Sequence, residues 1–311
     1  MSRIRNLPLA ITMLFVGLGL AAVFFLSRGD PGAVTCSSGN TEEARYYERI
    51  ICAAPSITEI VLSLGLGARV VGVSDFSVFP SEALEIPRIG GLINPNREKI
   101  LALEPDLIIL QGKHETLARF CREQGIAELS VDIDRISDIL AAIRKIGSEL
   151  GARTVADRLA AEIEGELTEL SRKVRERPPR KVFLGLGHTP GDLTGFMTTG
   201  SGTFLHELVE SAGGINIFAD AKGSYPRISK EALVQRRPDL IIEILAEGIS
   251  PDNRRLLRKD WERLASLPAV KAGRIYFLSD DYLLIPGVRV AQTARRLVRI
   301  IHPNLLESRH D

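Results

Sequence analysis

The residues with chemistry to offer fall into two groups. The first is a pair of acids set at one spacing. Glu98 lies seven residues before Pro105-Asp106, and Glu231 lies seven before Pro238-Asp239. An apolar run follows each step, Leu107 to Leu110 and Leu240 to Ile242. Asn96 and Ser229 stand just ahead as helix caps, so each carboxylate falls in a first helical turn. There it meets the positive end of the helix dipole, worth ~0.3–1 kcal/mol. The second group can touch a ligand. His188 sits in a loop after an apolar run and carries an imidazole able to bind a metal centre. Arg88, Arg227 and Arg289 can grip carboxylates through their planar forks, although most arginines in such a chain are solvated.

Other chemistry is missing from the pattern. No Ser/His/Asp set, paired acids or metal-spaced histidine cluster is placed for catalysis. Cys36, Cys52 and Cys121 are too few for a disulfide framework and lack metal-site spacing; Cys52, inside an apolar run, reads as a small core residue. Gly65-Leu-Gly67 lacks the third glycine of a dinucleotide fingerprint and precedes a strand rather than following one. Gly185 to Gly191 has the wrong spacing and is interrupted by Pro190. There is no phosphate-binding G-x-x-x-x-G-K-[ST] loop, so any ATP hydrolysis would belong to a partner. The net charge of +1 gives no global field for nucleic acid.

Elements must position these groups. In 311 residues, 45% hydrophobic and 25% charged, there is room for one large or two ordinary domains. Strands are expected at Arg49 to Ala53, Val70 to Val73, Leu107 to Leu110 and Leu129 to Val131. Helices fall at 55–64, 97–103, 114–124 and 136–150. This alternation means a parallel sheet covered on both faces. Residues 151–176 carry helical apolar spacing, Val155, Leu159, Ile163, Leu167, Leu170 and Val174, and predict one long helix ended by Pro178-Pro179. A second α/β series follows: strands at 181–186, 240–244 and 274–278, and helices at 203–212, 229–236, 253–266 and 287–301. The expected organisation is a lobe at 48–150, a connecting helix at 151–177 and a lobe at 178–311. The fold class is α/β: two parallel-sheet lobes joined by one long helix, with a ligand cleft between them.

Open α/β sheets bind ligands at the carboxyl ends of their strands. That rule selects Pro55, Ser56, Asp75, Phe76, Ile89-Gly90-Gly91, Gln111 and Lys113 from the first half. From the second it selects His188, Tyr225, Arg227, Asp280 to Tyr282 and Arg289. Phe76 and Tyr225 have a plain alternative as core or turn aromatics.

The N-terminus sets the compartment. Arg3 and Arg5 precede an uncharged, mostly apolar stretch from Leu7 to Leu26. At ~1.5 Å rise, about twenty residues nearly cross a ~30 Å hydrocarbon core. An uncleaved anchor over 1–27, followed by a polar linker at 28–47, is the preferred reading. A cleaved signal peptide, or lipidation at Cys36, are the alternatives. All three place the folded part outside the cytoplasm.

An ordered set of segments carries a family resemblance. It runs through Pro55-Ser56-Ile-Thr58-Glu59, Gly90-Gly91-Leu-Ile-Asn94-Pro95-Asn96-Arg-Glu98, Pro105-Asp106-Leu and Ala212-Gly213-Gly214-Ile-Asn216. It continues with Ser229-Lys-Glu231, Pro238-Asp239-Leu, Leu267-Pro268-Ala269-Val270 and Pro286-Gly287-Val-Arg289. Over residues 48–303 the chain resembles the cobalamin and iron-complex periplasmic binding proteins of ABC importers. The resemblance implies capture without catalysis, with no permanent cofactor or metal of its own. The implied cargo is a cobalamin-type corrinoid, with haem or a ferric siderophore as the alternative. It also implies a permease dimer with ATPase subunits as partner, a monomeric state, and docking through Glu98 and Glu231, one acid per lobe. Ligand contacts implied or selected are Pro55, Ser56, Phe76, Ile89, Gly90, His188, Tyr225, Arg227 and Arg289. Phe76 and Tyr225 fall where aromatic rings flank the corrin, whereas Ile89 falls where the cobalamin-binding branch can carry Trp. A tethered sensor or an extracytoplasmic enzyme on the same scaffold are the rival classes.

Overall fold

The computed structural model describes residues 46–245 and 250–305. The expected anchor (1–27), nearly all of the linker (28–47) and Cys36 lie outside the described residues. The first half contains β1 (Ile50–Cys52), α1 (Pro55–Ser63), β2 (Val70–Val73), α2 (Arg97–Ala102), β3 (Leu107–Gln111), α3 (Glu115–Gln124), β4 (Ala127–Val131) and α4 (Ile136–Glu149). The long α5 (Arg153–Val174) follows. The second half contains β5 (Arg180–Gly185), β6 (Phe196–Met197), α6 (Phe204–Ser211), β7 (Gly214–Asn216), β8 (Arg227–Ile228), α7 (Lys230–Arg236), β9 (Leu240–Ile244), α8 (Pro251–Glu262), α9 (Pro268–Lys271), β10 (Ile275–Leu278) and α10 (Val290–Ile301).

Both main sheets are parallel and have the same order: β2-β1-β3-β4 in one and β7-β5-β9-β10 in the other. Their middle strands are buried on both faces, which is why β3 and β9 read as unbroken apolar runs. The repeated Pro-Asp step has a structural job in each. The Asp106 carboxylate accepts the backbone N–H groups of Glu48 (2.7 Å) and Arg49 (3.0 Å) just ahead of β1. The Asp239 carboxylate accepts the N–H of Lys181 in β5 at 2.9 Å. Each aspartate therefore staples the start of a third strand to the start of the first, fixing register where the sheet begins.

The α5 helix is 22 residues long. Its buried stripe is Ala156, Ala160, Ile163, Leu167, Leu170 and Val174. The expected Val155 is instead 42% exposed, and Leu159 only borders the core. The cause is the close approach of α4. A Cβ on Gly147 would come 2.2 Å from the Ala156 Cβ, so only small residues fit at this crossing. Further along, α5 packs on α6 and α10. One apolar cluster therefore runs from Ile50 and Ile57, through Ile143, Ile163 and Leu167, to Leu184, Leu205, Val290 and Leu297. The two halves share a core.

Three short features were not expected. β7 is only three residues long and begins at the second glycine of a Gly-Gly pair. The β6–β8 ribbon has two residues per strand, and α9 is a single turn. Among the described residues no helix is long and apolar enough to cross a membrane.

Candidate functional site

In a sheet ordered 2-1-3-4 the connections leave the first strand in opposite directions, so a crevice opens beyond the carboxyl ends of the first and third strands. Both sheets place a polar pair there. In the first, Ser56 Oγ, in the opening turn of α1, donates to Gln111 Oε1 at the end of β3 (3.0 Å). In the second, His188 Nδ1, just past β5, lies 2.5 Å from Glu243 Oε1 on β9.

The first-lobe rim is built tightly. Gly90 has φ +103°, and a Cβ there would lie 3.0 Å from the Asn96 nitrogen, so glycine is required. Its N–H donates to Asp75 Oδ1 (3.1 Å), and its carbonyl accepts from the Asp75 N–H (2.9 Å). The half-buried Phe76 ring passes over Gly91. Arg88 is spent inside the rim, donating to the carbonyls of Ser74 (2.9 Å) and Ser77 (2.6 Å). Pro55 and Ser56 are buried at the start of α1.

Three of the expected ligand contacts are turned inward. Ile89 is 1% exposed and packs with Ile51, Ile100 and Ile108. The Val73–Arg88 bridge continues the sheet past β2, and Ile89 turns inward to the core. His188 lies in the loop after β5 but is buried rather than open to solvent. Glu243 Oε2 also accepts the Trp261 indole N–H (2.7 Å), and Asp260 Oδ2 lies 3.5 Å from His188 Nε2. Burial opposes a charge on His188, but Glu243 and Asp260 outweigh it, and its pKa is raised. Arg289 meets the protein's own acids. Its guanidinium takes Glu59 on α1 of the first lobe bidentately (3.1 and 2.5 Å) and Asp281 at 2.7 Å, and stacks over Phe79 at 3.9 Å. Burial pushes the Glu59 carboxyl up against the pull of Arg289.

The lobes also meet at a second place. The Phe204 N–H donates to the Asp134 carbonyl (2.6 Å), and Glu207 accepts the Ile136 N–H at the start of α4 (2.8 Å). Tyr225 is half-buried nearby; burial, then the Asp134 charge, raises its hydroxyl pKa. Arg227 is exposed on β8, beside Met197 of β6 in the ribbon. Glu98 and Glu231 are exposed in the first turns of α2 and α7, which are capped by Asn96 and Ser229 as expected. The helix's own N–H and the Ser229 hydroxyl hold the Glu231 carboxyl low. In a β-α-β crossover the helix N-terminus lies at the carboxyl ends of the strands, so both acids sit on the crevice side of their lobes.

Sequence reasoning missed Glu59 and Glu243. A signal existed in each case. Glu243 is a charge inside the apolar run Leu240-Ile-Ile-Glu-Ile, and Glu59 lies among the apolar residues of α1. A buried charge demands a partner.

Residues 50–282 match the model of the periplasmic binding protein family. The chain belongs to that family. It is 28% identical to the uncharacterized ABC transporter substrate-binding lipoprotein YvrC of Bacillus subtilis, covering 83% of this chain and 81% of the relative. The solved periplasmic vitamin B12 binding protein BtuF of Vibrio cholerae superposes with a TM-score of 0.70 at 28% identity, over 82% of this chain and 96% of that one. The periplasmic heme-binding protein RhuT of Roseiflexus sp. RS-1 does so at 0.70 and 28%, over 82% and 98%. The two like-ordered parallel sheets are in keeping with that family.

Proposed function

We propose that this periplasmic binding protein is the solute-binding component of an ABC importer, and that its cargo is a cobalamin-type corrinoid. The likeness to a vitamin B12 binding protein over 82% of this chain and 96% of that one carries the reading. The imidazoles support it. Among the described residues the four histidines are all at least partly buried. His114 contacts the Leu92 carbonyl, His188 faces Glu243, His206 contacts Asn216, and His302 is enclosed. A cargo whose metal brings its own axial ligands suits such a site. Ligand contacts are assigned to Pro55, Ser56, Phe76 and Gly90 on the first lobe and to Tyr225 and Arg227 on the second. Residues 48–150 and 178–311 form the lobes, and 151–177 the connection.

Glu98 and Glu231 then dock the loaded protein on a permease dimer, one acid per subunit, and the segment Leu7–Leu26 tethers it to the membrane. Haem or a ferric siderophore is the second reading, favoured by the likeness to RhuT. Calorimetric titration with cyanocobalamin, hemin and ferric siderophores, in separate runs, tests the assignment. One-to-one saturation with cyanocobalamin is expected, along with a rise in melting temperature. Silence from all of them refutes the cargo class. Docking is tested by E98R/E231R, which should keep ligand affinity and lose uptake.

A further inference from the structure

Away from the crevices, the second sheet exposes the edge of β10. Helices α8 and α10 straddle that edge and enclose a concavity of about 580 Å³. Five arginines line it: Arg254, Arg255 and Arg258 from α8, Arg296 and Arg299 from α10. Tyr276 and Phe277 of β10 contribute too, and no carboxylate is among the lining residues. Part of this charge has a structural use. Arg258 donates to the Ile275 carbonyl (3.3 Å) and Arg254 to the Phe277 carbonyl (3.4 Å), covering the edge strand's unpaired acceptors.

The first lobe shows how little edge protection needs. Its edge strand β4 occupies the same place in the same strand order, beside a concavity of about 480 Å³. There Lys145 covers the Ser130 carbonyl (2.9 Å), and the lining cations Lys113, Arg119 and Arg122 are mixed with Glu115 and Glu128. The second lobe carries more positive charge than the edge requires. Among the described residues, ion-pair partners lie near only two of the five: Asp252 beside Arg255, and Asp280 beside Arg296 at 3.8 Å. The Arg296 Nε is enclosed and has no hydrogen-bond acceptor.

We propose that this arginine-lined concavity is an anion site, separate from the cargo crevice, for a phosphate-bearing group. Planar guanidinium forks match phosphate oxygens two at a time, and the aromatic floor limits competing water. The phosphate can come from a lipid headgroup or from a free polyphosphate. The experiment uses the full chain in neutral detergent, with R255Q/R299Q as the variant. Those two side chains are exposed and cover no strand carbonyl. Calorimetry is run with inorganic pyrophosphate, with short-chain phosphatidylglycerol, and with short-chain phosphatidylcholine as a zwitterionic control. Saturable, salt-sensitive binding of pyrophosphate or phosphatidylglycerol is expected, at least about tenfold weaker in R255Q/R299Q. Cargo affinity should be unchanged. Pyrophosphate alone identifies a soluble anion, and phosphatidylglycerol alone identifies a headgroup. No saturable binding of either by the unsubstituted chain overturns the proposal, as does equal affinity in the variant. Unchanged cargo titration in the same samples separates that failure from failure of the cargo assignment.

Discussion

Replacing Arg289 by Met removes one end of the contact that joins the two lobes. The side chains of Glu59 and Arg289 are 2% and 6% exposed, and two hydrogen bonds, of 3.1 and 2.5 Å, join them across the lobe boundary. Removing one member of a buried pair strands the other's charge, at a cost of ~3–5 kcal/mol. At roughly 2–4 °C per kcal/mol for a chain near this size, the melting temperature should fall by about 6–20 °C. Two companion measurements give the number its meaning. E59Q/R289M strands no fully buried carboxylate, only the partly exposed Asp281, so it should recover much of the loss, with a coupling energy of about 1–3 kcal/mol in the cycle. The R289M defect should also depend on pH in one direction. Without the guanidinium, burial and then the Asp281 charge both raise Glu59, and its folded pKa lies above its unfolded value of about 4.3. A group with a raised folded pKa stabilises below the unfolded pKa, and that stability is lost as pH rises through the folded pKa. R289M should therefore be closest to the unsubstituted protein near pH 4 and furthest from it above neutrality. Thermal melts of the four proteins across that range decide it. A melting temperature for R289M within about 1 °C of the unsubstituted protein, or no coupling in the cycle, would refute the reasoning.

Further predictions follow from the other contacts. The raised His188 pKa means that its stabilisation is full below about pH 6.5 and is lost as pH rises through the higher folded value. Urea midpoints measured from pH 6 to 9 should decline, and H188N should flatten that slope. Asp106→Ala should cost more than Asp239→Ala in urea denaturation, at about 1–3 kcal/mol, because Asp106 accepts two backbone N–H groups and Asp239 one. Gly147→Ala should destabilise by about 1–3 kcal/mol despite a gain in helix propensity, read as a lower melting temperature, because its Cβ would fall 2.2 Å from that of Ala156.

Much of this architecture was legible in the residues. The continuous apolar runs of β3 and β9 and the 3.6-residue period of α5 are strong signals, and they mark strands and a helix where the structure has them. The site was harder to read. The carboxyl-end rule selected both Ser56 and Gln111, which the structure joins by a hydrogen bond, but it cannot say which way a side chain turns. Ile89 follows the strand bridge into the core, and His188 and Arg289 turn to carboxylates 55 and 230 residues away in sequence. Pairings at such separations depend on how sheets and lobes are packed, a relation that no local window contains. The shift of the α5 stripe from Val155 to Ala156 has the same origin, since a glycine on the neighbouring helix decides it.

The core shared through α5 bears on how the chain reaches its folded state. The first four strands and α4 can gather early as the polypeptide is made or threaded. Leu167, Leu170 and Val174 then find their cover only when α6 and α10 arrive, the latter ending at Ile301. Until that last helix docks, half of α5 is a bare apolar ridge. An isolated first lobe would keep that ridge permanently exposed and self-associate. The intact chain should melt in one cooperative step, with no stable half-folded species to feed proteolysis.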